Sequence, residues 1–462
     1  MIATVNPATG EEVRRYAPHT SAEVERRVAL AATAQSAWRH TPVARRAELL
    51  GAVARVLRAG AEDHARLITL EMGKPLAEAR AEVEKCAVTL DHYARHAPGF
   101  LADEALASDA ADSRAVFEPL GVVLAVMPWN FPFWQFFRFA APALAAGNAA
   151  LLKHAANVPG CALAVERVLA AAGAPVGLIS ALLVEADAVA PLIDDPRVAA
   201  VTLTGSTRVG ALVAARAAAA VKKQVLELGG SDPFVVLADA DVREAAHAAV
   251  AARFTNTGQS CVNAKRFIVD AAVADEFTAR FTERARALTV GDPFDPATAV
   301  GPLARPDLRA ALHDQVRRSV EAGAVLRTGG EPLPGPGSYY PPTVLDRVVP
   351  GHAVFDEETF GPVAAVTRVE GDDEAVRLAN QTEFGLGASL WTSDRERAER
   401  LARRIDAGAV FVNGIVASDP RLPFGGVKAS GYGRELGSYG IREFVNVKTL
   451  WIGPRHDKEV PR

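Results

Sequence analysis

The sequence predicts an α/β protein built on mainly parallel, doubly wound sheets. From Val116 onward, short apolar runs alternate with stretches of helical spacing, and a second such series begins after Gly229-Gly230. Strands that are regularly separated by helices pair in parallel through crossovers. At 462 residues the chain exceeds one ordinary core, so two or three domains are expected.

The N-terminal fifth is helical by its spacing, over Glu23 to Trp38, Arg45 to Ala59, Glu62 to Met72 and Leu76 to Ala97. Strands then follow at Gly121 to Val126, Ala149 to Leu152, Ile179 to Leu183 and Ala199 to Thr204. Helices lie between them at Phe137 to Ala146, Ala162 to Ala172 and Val189 to Ile193. The second series has strands at Phe234 to Leu237, Arg266 to Val269, Val325 to Thr328, Val363 to Arg368, Ala388 to Trp391 and Ala409 to Val412. Pro332 to Gly337 reads as a loop. No internal repeat or low-complexity segment is apparent.

Composition excludes several classes. The chain is 49% hydrophobic and 23% charged, the balance of a soluble enzyme, and its net charge of −4 offers no field for nucleic acid or an acidic membrane. Cys86, Cys161 and Cys261 are too few and too dispersed for a disulfide framework or a metal cluster, so no metal is expected and a reducing cytoplasm is the default. The start, Met1 to Pro7, lacks the regions of a signal peptide. The apolar run Pro119 to Phe137 is long enough to suggest a membrane span. Pro119, Pro128 and Pro132 would leave backbone groups unpaired in lipid, so it reads as a buried strand and a loop.

Four motifs carry chemistry. Cys261 follows Thr257-Gly258-Gln259-Ser260, small and polar residues that let a turn approach a substrate, although a lone cysteine is more often a small buried hydrophobe. Cys86 and Cys161, which belong to or border helices, keep that plain reading. Glu227 lies between Leu226 and Leu228 before paired glycines; desolvation there would raise its pKa toward that of a general base, unless the strand faces water. Asn130, in Met127-Pro128-Trp129-Asn130-Phe131-Pro132, follows an apolar strand where ligands dock in open α/β sheets, and its amide could meet an oxyanion; the segment is equally a good turn. Thr204-Gly205-Ser206-Thr207-Arg208-Val209-Gly210 joins a strand to a helix. It suits a phosphate at a helix N-terminus but is neither the usual dinucleotide fingerprint nor a P-loop.

In their order and spacing these motifs resemble the aldehyde dehydrogenase superfamily, from Asn6-Pro7-Ala8-Thr9-Gly10 to Pro423-Phe424-Gly425-Gly426-Val427-Lys428. The resemblance implies a dinucleotide-binding domain (1–100 and 120–228), a catalytic domain (229–427) and an oligomerisation β-flap (101–119 and 437–462), in a homodimer or homotetramer. It implies that Cys261 attacks the aldehyde, that Asn130 holds the oxyanion and that Glu227 activates water for the thioester. The cofactor, NAD or NADP, would meet Trp129, Lys153, Ala156, Thr204, Gly205, Ser206, Gly210, Glu358 and Phe360. Many NAD-selective relatives have glutamate where this chain has Ala156, so NADP should be accepted too.

Within the superfamily the likeness is to the short succinate-semialdehyde dehydrogenases, carried by Trp129 to Arg138, Leu152 to Ala155 and Ser418 to Pro423. It implies Arg138 and Ser418 at the substrate's far carboxylate, with Trp134 and Phe424 beside them. Thr255 stands where many longer members have a second arginine. Glutarate semialdehyde is the alternative substrate. A cofactor-free cysteine hydrolase would need a histidine near Cys261, and a non-catalytic structural member would be expected to lose Cys261, Glu227 or Asn130.

Overall fold

Strand alternation divides the side chains of the second sheet between two cores. Along Asp232–Val236, Phe234 and Val236 join one buried cluster with Phe267, Phe277 and Phe281, while Val235 joins another with Ile268 and Leu345. Both faces are covered, which is why these strands read as unbroken apolar runs. The structure, a computed structural model, describes residues 1–453.

The first sheet has six strands in the order Gly431–Tyr432, Lys223–Glu227, Val198–Thr204, Val122–Met127, Ala149–His154 and Ile179–Ala181, parallel except for the first. The second has seven, in the order Val325–Thr328, Thr343–Asp346, Val363–Val369, Ala264–Asp270, Asp232–Val236, Gly387–Trp391 and Ala409–Val412, again with only the first antiparallel. This is the expected α/β architecture. Glu104–Ala105, Asp112–Pro119 and Val445–Ile452 form a separate antiparallel sheet from the two segments assigned to the flap; residues 454–462 of that assignment lie outside the described residues.

Three features depart from expectation. A hairpin, Ile2–Val5 with Glu12–Tyr16, precedes the N-terminal helices. The four-residue strand Thr343–Asp346 is too short to show periodicity. Gly431–Tyr432 crosses back to the first sheet and pairs with Leu226 and Glu227, a long-range contact that local pattern cannot reveal.

The run Pro119 to Phe137 is the strand Val122–Met127, a turn, and the start of the helix Trp134–Ala146. Among the described residues no helix is long and apolar enough to cross a membrane. Every residue of Trp134–Ala146 is buried, and Arg138 is its only charged side chain. A helix that is apolar all round belongs inside a protein, so Arg138 must find its partner there.

Candidate active site

The parallel strands of the first sheet deliver their C-terminal ends to one edge, where ligands dock in such sheets. Asn130 follows Met127, Gly205 follows Thr204, and Glu227 ends its own strand. The nucleophile candidate reaches this edge from the second sheet's side. After the helix Val242–Phe254 the chain turns through Asn256 and Thr257, both at φ 56°, and Gly258 at φ 72°. Left-handed backbone costs a non-glycine residue roughly 1–2 kcal/mol, so the surroundings must impose it. Asn256 N–H donates to Glu78 Oε2 (2.7 Å), and its amide donates to the carbonyls of Asn130 (2.9 Å) and Gln259 (3.0 Å). Gln259 Oε1 accepts from Ala304 N–H at 2.9 Å. A Cβ on Gly258 would lie 2.4 Å from the Gly361 carbonyl oxygen, so glycine is required.

This turn presents Cys261 to two cavities at once. One, of about 360 Å³, is lined by Trp129, Asn130, Thr204, Gly205, Ser206, Glu358 and Phe360. The other, of about 290 Å³, is lined by Trp134, Arg138, Thr255, Ser418, Phe424 and Lys85. The predicted substrate residues thus gather on one side of the thiol and most of the predicted cofactor residues on the other. A larger depression, about 700 Å³, lies along the helix Ala271–Arg286 and contains none of these groups.

Lys153 is at the end of the strand Ala149–His154 and Ala156 is exposed in the turn that follows, both outside the lining of the first cavity. Gly210 also lies outside that lining. It is buried within the helix Thr207–Ala219, and a Cβ there would lie 2.5 Å from Leu228 Cδ2. Its spacing reflects helix–strand packing. Ser206 caps that helix by accepting from Val209 N–H.

Asn130 is buried; one amide N–H donates to the Gln259 carbonyl at 3.1 Å, which leaves the second free to meet an oxygen near Cys261. Gly230 lets the strand end and the nucleophile turn converge, since a Cβ there would lie 2.6 Å from the Cys261 carbonyl oxygen. That oxygen accepts from Lys265 Nζ at 2.9 Å, and Lys265 also reaches Glu358 Oε1 at 3.3 Å. Burial pushes the Cys261 thiol up to about 11, while Arg138 and Lys265 pull it down. The thiol therefore needs a base to react near neutral pH.

Glu227 is 1% exposed, and among the described residues neither carboxylate oxygen has a hydrogen-bond partner. Burial raises its pKa, opposed by Arg138 and reinforced by Glu435. Glu435 is the residue that sequence reasoning missed. It is buried and ion-paired with Arg138 Nε, and it is fixed by reciprocal backbone hydrogen bonds of 2.7 Å with Phe424. Arg138 also donates to Thr204 Oγ1 (3.3 Å) and lies 4.8 Å from the Phe424 ring centre. The arginine expected to await a substrate carboxylate already holds a resident one. The available signal was Glu435 beside Leu436 in a glycine-rich stretch, the same pattern that singled out Glu227.

The aldehyde dehydrogenase family profile matches residues 1–450. The chain belongs to the aldehyde dehydrogenase family. A Mycobacterium ulcerans succinate-semialdehyde dehydrogenase, named for NADP(+), is 52% identical over 456 residues, covering 98% of this chain and 100% of the relative. The Escherichia coli succinate semialdehyde dehydrogenase Sad, named for NAD(P)+, is 49% identical over 448 residues, 97% of each chain. Among solved structures, succinic semialdehyde dehydrogenase from Streptococcus pyogenes in complex with NADP+ superposes with a TM-score of 0.96 at 36% identity. That match covers 98% of this aldehyde dehydrogenase and 100% of the other chain.

Proposed function

We propose that this aldehyde dehydrogenase oxidises succinate semialdehyde, and glutarate semialdehyde less well, to the corresponding diacid with NADP or NAD. The carrying observation is that one thiol borders two cavities, one lined by Trp129, Gly205, Ser206 and Phe360 and the other apolar-walled with cations at its margin. The names of the relatives point the same way.

The residues present fit the cofactor. Gly205 and Ser206 open a helix whose N-terminus favours an anion, and Lys153, near the end of a strand two places along the same sheet, is among the described residues without an ionic partner. Trp129 and Phe360 stand edge to face in the same cavity, their ring centres 5.7 Å apart. The bound nicotinamide supplies the hydride acceptor.

In the reaction, the Cys261 thiol releases its proton to solvent water and adds as thiolate to the aldehyde carbon, while the free Asn130 N–H and the Cys261 backbone N–H hold the oxygen that becomes anionic. Loss of hydride from that carbon restores the carbonyl as a thioester on Cys261. Glu227 then takes a proton from water as its oxygen attacks the thioester carbon, and the Cys261 thiolate departs. Arg138, paired with Glu435, contributes positive potential to both steps.

The domain division given above is proposed for the chain as well. The edge strand Val445–Ile452 supports a homodimer or homotetramer, because Val447, Trp451 and Ile452 expose about half of their surface (59%, 54% and 47%). Three free cysteines suit a reducing compartment such as the cytoplasm.

Following NAD(P)H absorbance with purified enzyme tests the reading. Succinate semialdehyde should be turned over with a higher kcat/KM than butyraldehyde. Cys261→Ala should abolish NAD(P)H formation, whereas Cys86→Ala and Cys161→Ala should retain it. A preference for butyraldehyde would overturn the substrate, and turnover by Cys261→Ala would overturn the nucleophile.

A further inference from the structure

Among the described residues, one cation bordering the substrate cavity has no carboxylate partner. Glu78, Glu82 and Lys85 lie at helical spacing on one stripe of the helix Leu76–Phe100, and all three line the cavity. Glu82 is committed to Lys74 and to the backbone N–H groups of Phe133 (2.9 Å) and Trp134 (3.0 Å). Glu78 accepts from Asn256 N–H, and burial raises its pKa to about 7. Arg138 is held by Glu435.

Lys85 differs from each of these. Its Nζ donates to Ser418 Oγ at 2.8 Å and lies 4.3 Å from the Trp134 ring centre, and among the described residues it forms no salt bridge. An ammonium has three N–H bonds and no acceptor capacity, so the hydroxyl leaves it able to receive an anion. Burial lowers its pKa to about 8; Arg138 and Lys74 act in the same direction, and Cys86 and Glu82 oppose them. The group is charged near neutrality and poorly solvated, the state in which a carboxylate gains most from pairing with it.

We propose that Lys85 is the residue that receives the distal carboxylate of the aldehyde, with Ser418 beside it, while Arg138 serves as the fixed counter-ion of Glu435. This rests on the proposed carboxylate-bearing substrate. It assigns specificity to a helix outside the motifs that bear the chemistry. It also provides a cation in a cavity where Thr255 offers only a hydroxyl. Trp134 provides the wall against which the ammonium is held, and Cys261 lines the same cavity.

The test compares kcat/KM on succinate semialdehyde with that on butyraldehyde, in wild type, Lys85→Met and Lys85→Arg. Losing a partly buried charge pair should lower the ratio in Lys85→Met by about thirty-fold or more. The loss should appear mainly in KM, and Lys85→Arg should restore most of it. Arg138→Met should instead depress turnover of both aldehydes, because it strands Glu435 beside Glu227. If Lys85→Met lowers the melting temperature, Lys85→Gln removes the charge, keeps a donor for Ser418 and makes the same comparison. A wild-type preference for succinate semialdehyde that survives these variants overturns the role of Lys85 alone. Absence of that preference in wild type overturns the substrate reading and this role with it.

Discussion

Lys74–Glu82 and Arg138–Glu435 are both fully buried ion pairs bordering the same helix, yet they are finished differently. In the first, Glu82 also accepts two backbone N–H groups at the start of the helix Trp134–Ala146, and Lys74 Nζ lies 3.7 Å from the Phe131 ring centre. In the second, among the described residues, Glu435 accepts no hydrogen bond beyond its contact with Arg138, and the neighbouring Glu227 accepts none at either oxygen. A low-dielectric interior makes an unsatisfied carboxylate costly. The saturated pair therefore suits the scaffold, and the open pair lies beside the carboxylate proposed to move a proton. Removing a carboxylate from the first should cost stability, and from the second, activity.

The largest effect expected is on turnover. Glu227→Gln should slow thioester hydrolysis by about 10²–10⁴-fold, since an amide cannot take a proton from water. Mass spectrometry should find acyl adduct on Cys261 under turnover. The pKa of Glu227 is raised, so the working carboxylate form grows as pH rises, and wild-type hydrolysis should quicken through that range while the variant stays flat. Stability should change little, because burial already favours the neutral form. Unchanged turnover, or a large fall in stability, would erase the contrast between the saturated carboxylate Glu82 and the open carboxylate beside the second pair.

The second prediction concerns the saturated pair. Glu82→Ala leaves Lys74 charged, buried and unpaired, and it frees two backbone donors. Breaking a buried pair in this way costs about 3–5 kcal/mol. Urea unfolding should show a loss of that size, and Glu82→Gln, which keeps an acceptor for Phe133 and Trp134, should lose less. If Glu82→Ala unfolds like wild type, saturation by hydrogen bonds is not what separates scaffold from site.

How much of this was legible in the sequence follows the same division. Glu227 and Asn130 could be read because strand ends and their flanking residues are local. Glu227 has leucines on either side, and Asn130 follows an apolar strand. The partner of Arg138 was illegible: Glu435 arrives from near the chain's end, across the bridge between Phe424 and Glu435. Lys85 was hidden for another reason. Arg80, Glu84 and Asp91 surround it in sequence, and a charged amphipathic helix reads as solvated surface until its docking face is known.

The smallest effect tests whether charge at an exposed position behaves unlike these buried pairs. Lys153 is partly buried, with its pKa lowered by burial, and Ala156 lies exposed three residues on, in the turn before the helix Pro159–Ala171. If this end of the cleft holds the adenosine ribose, a glutamate at 156 would accept from a 2′-hydroxyl and repel a 2′-phosphate. Nothing buried becomes unpaired, so Ala156→Glu should leave stability unchanged within error. Solvent weakens a charge contact at such a position, so discrimination should be modest. A shift of about tenfold in the ratio of kcat/KM toward NAD corresponds to ~1.4 kcal/mol. Steady-state kinetics with both cofactors at saturating aldehyde measure it, and a change in affinity for NADP should account for most of the shift. An unchanged ratio would mean that the 2′ position is read elsewhere, and a lost melting temperature would mean that this turn is structurally committed after all.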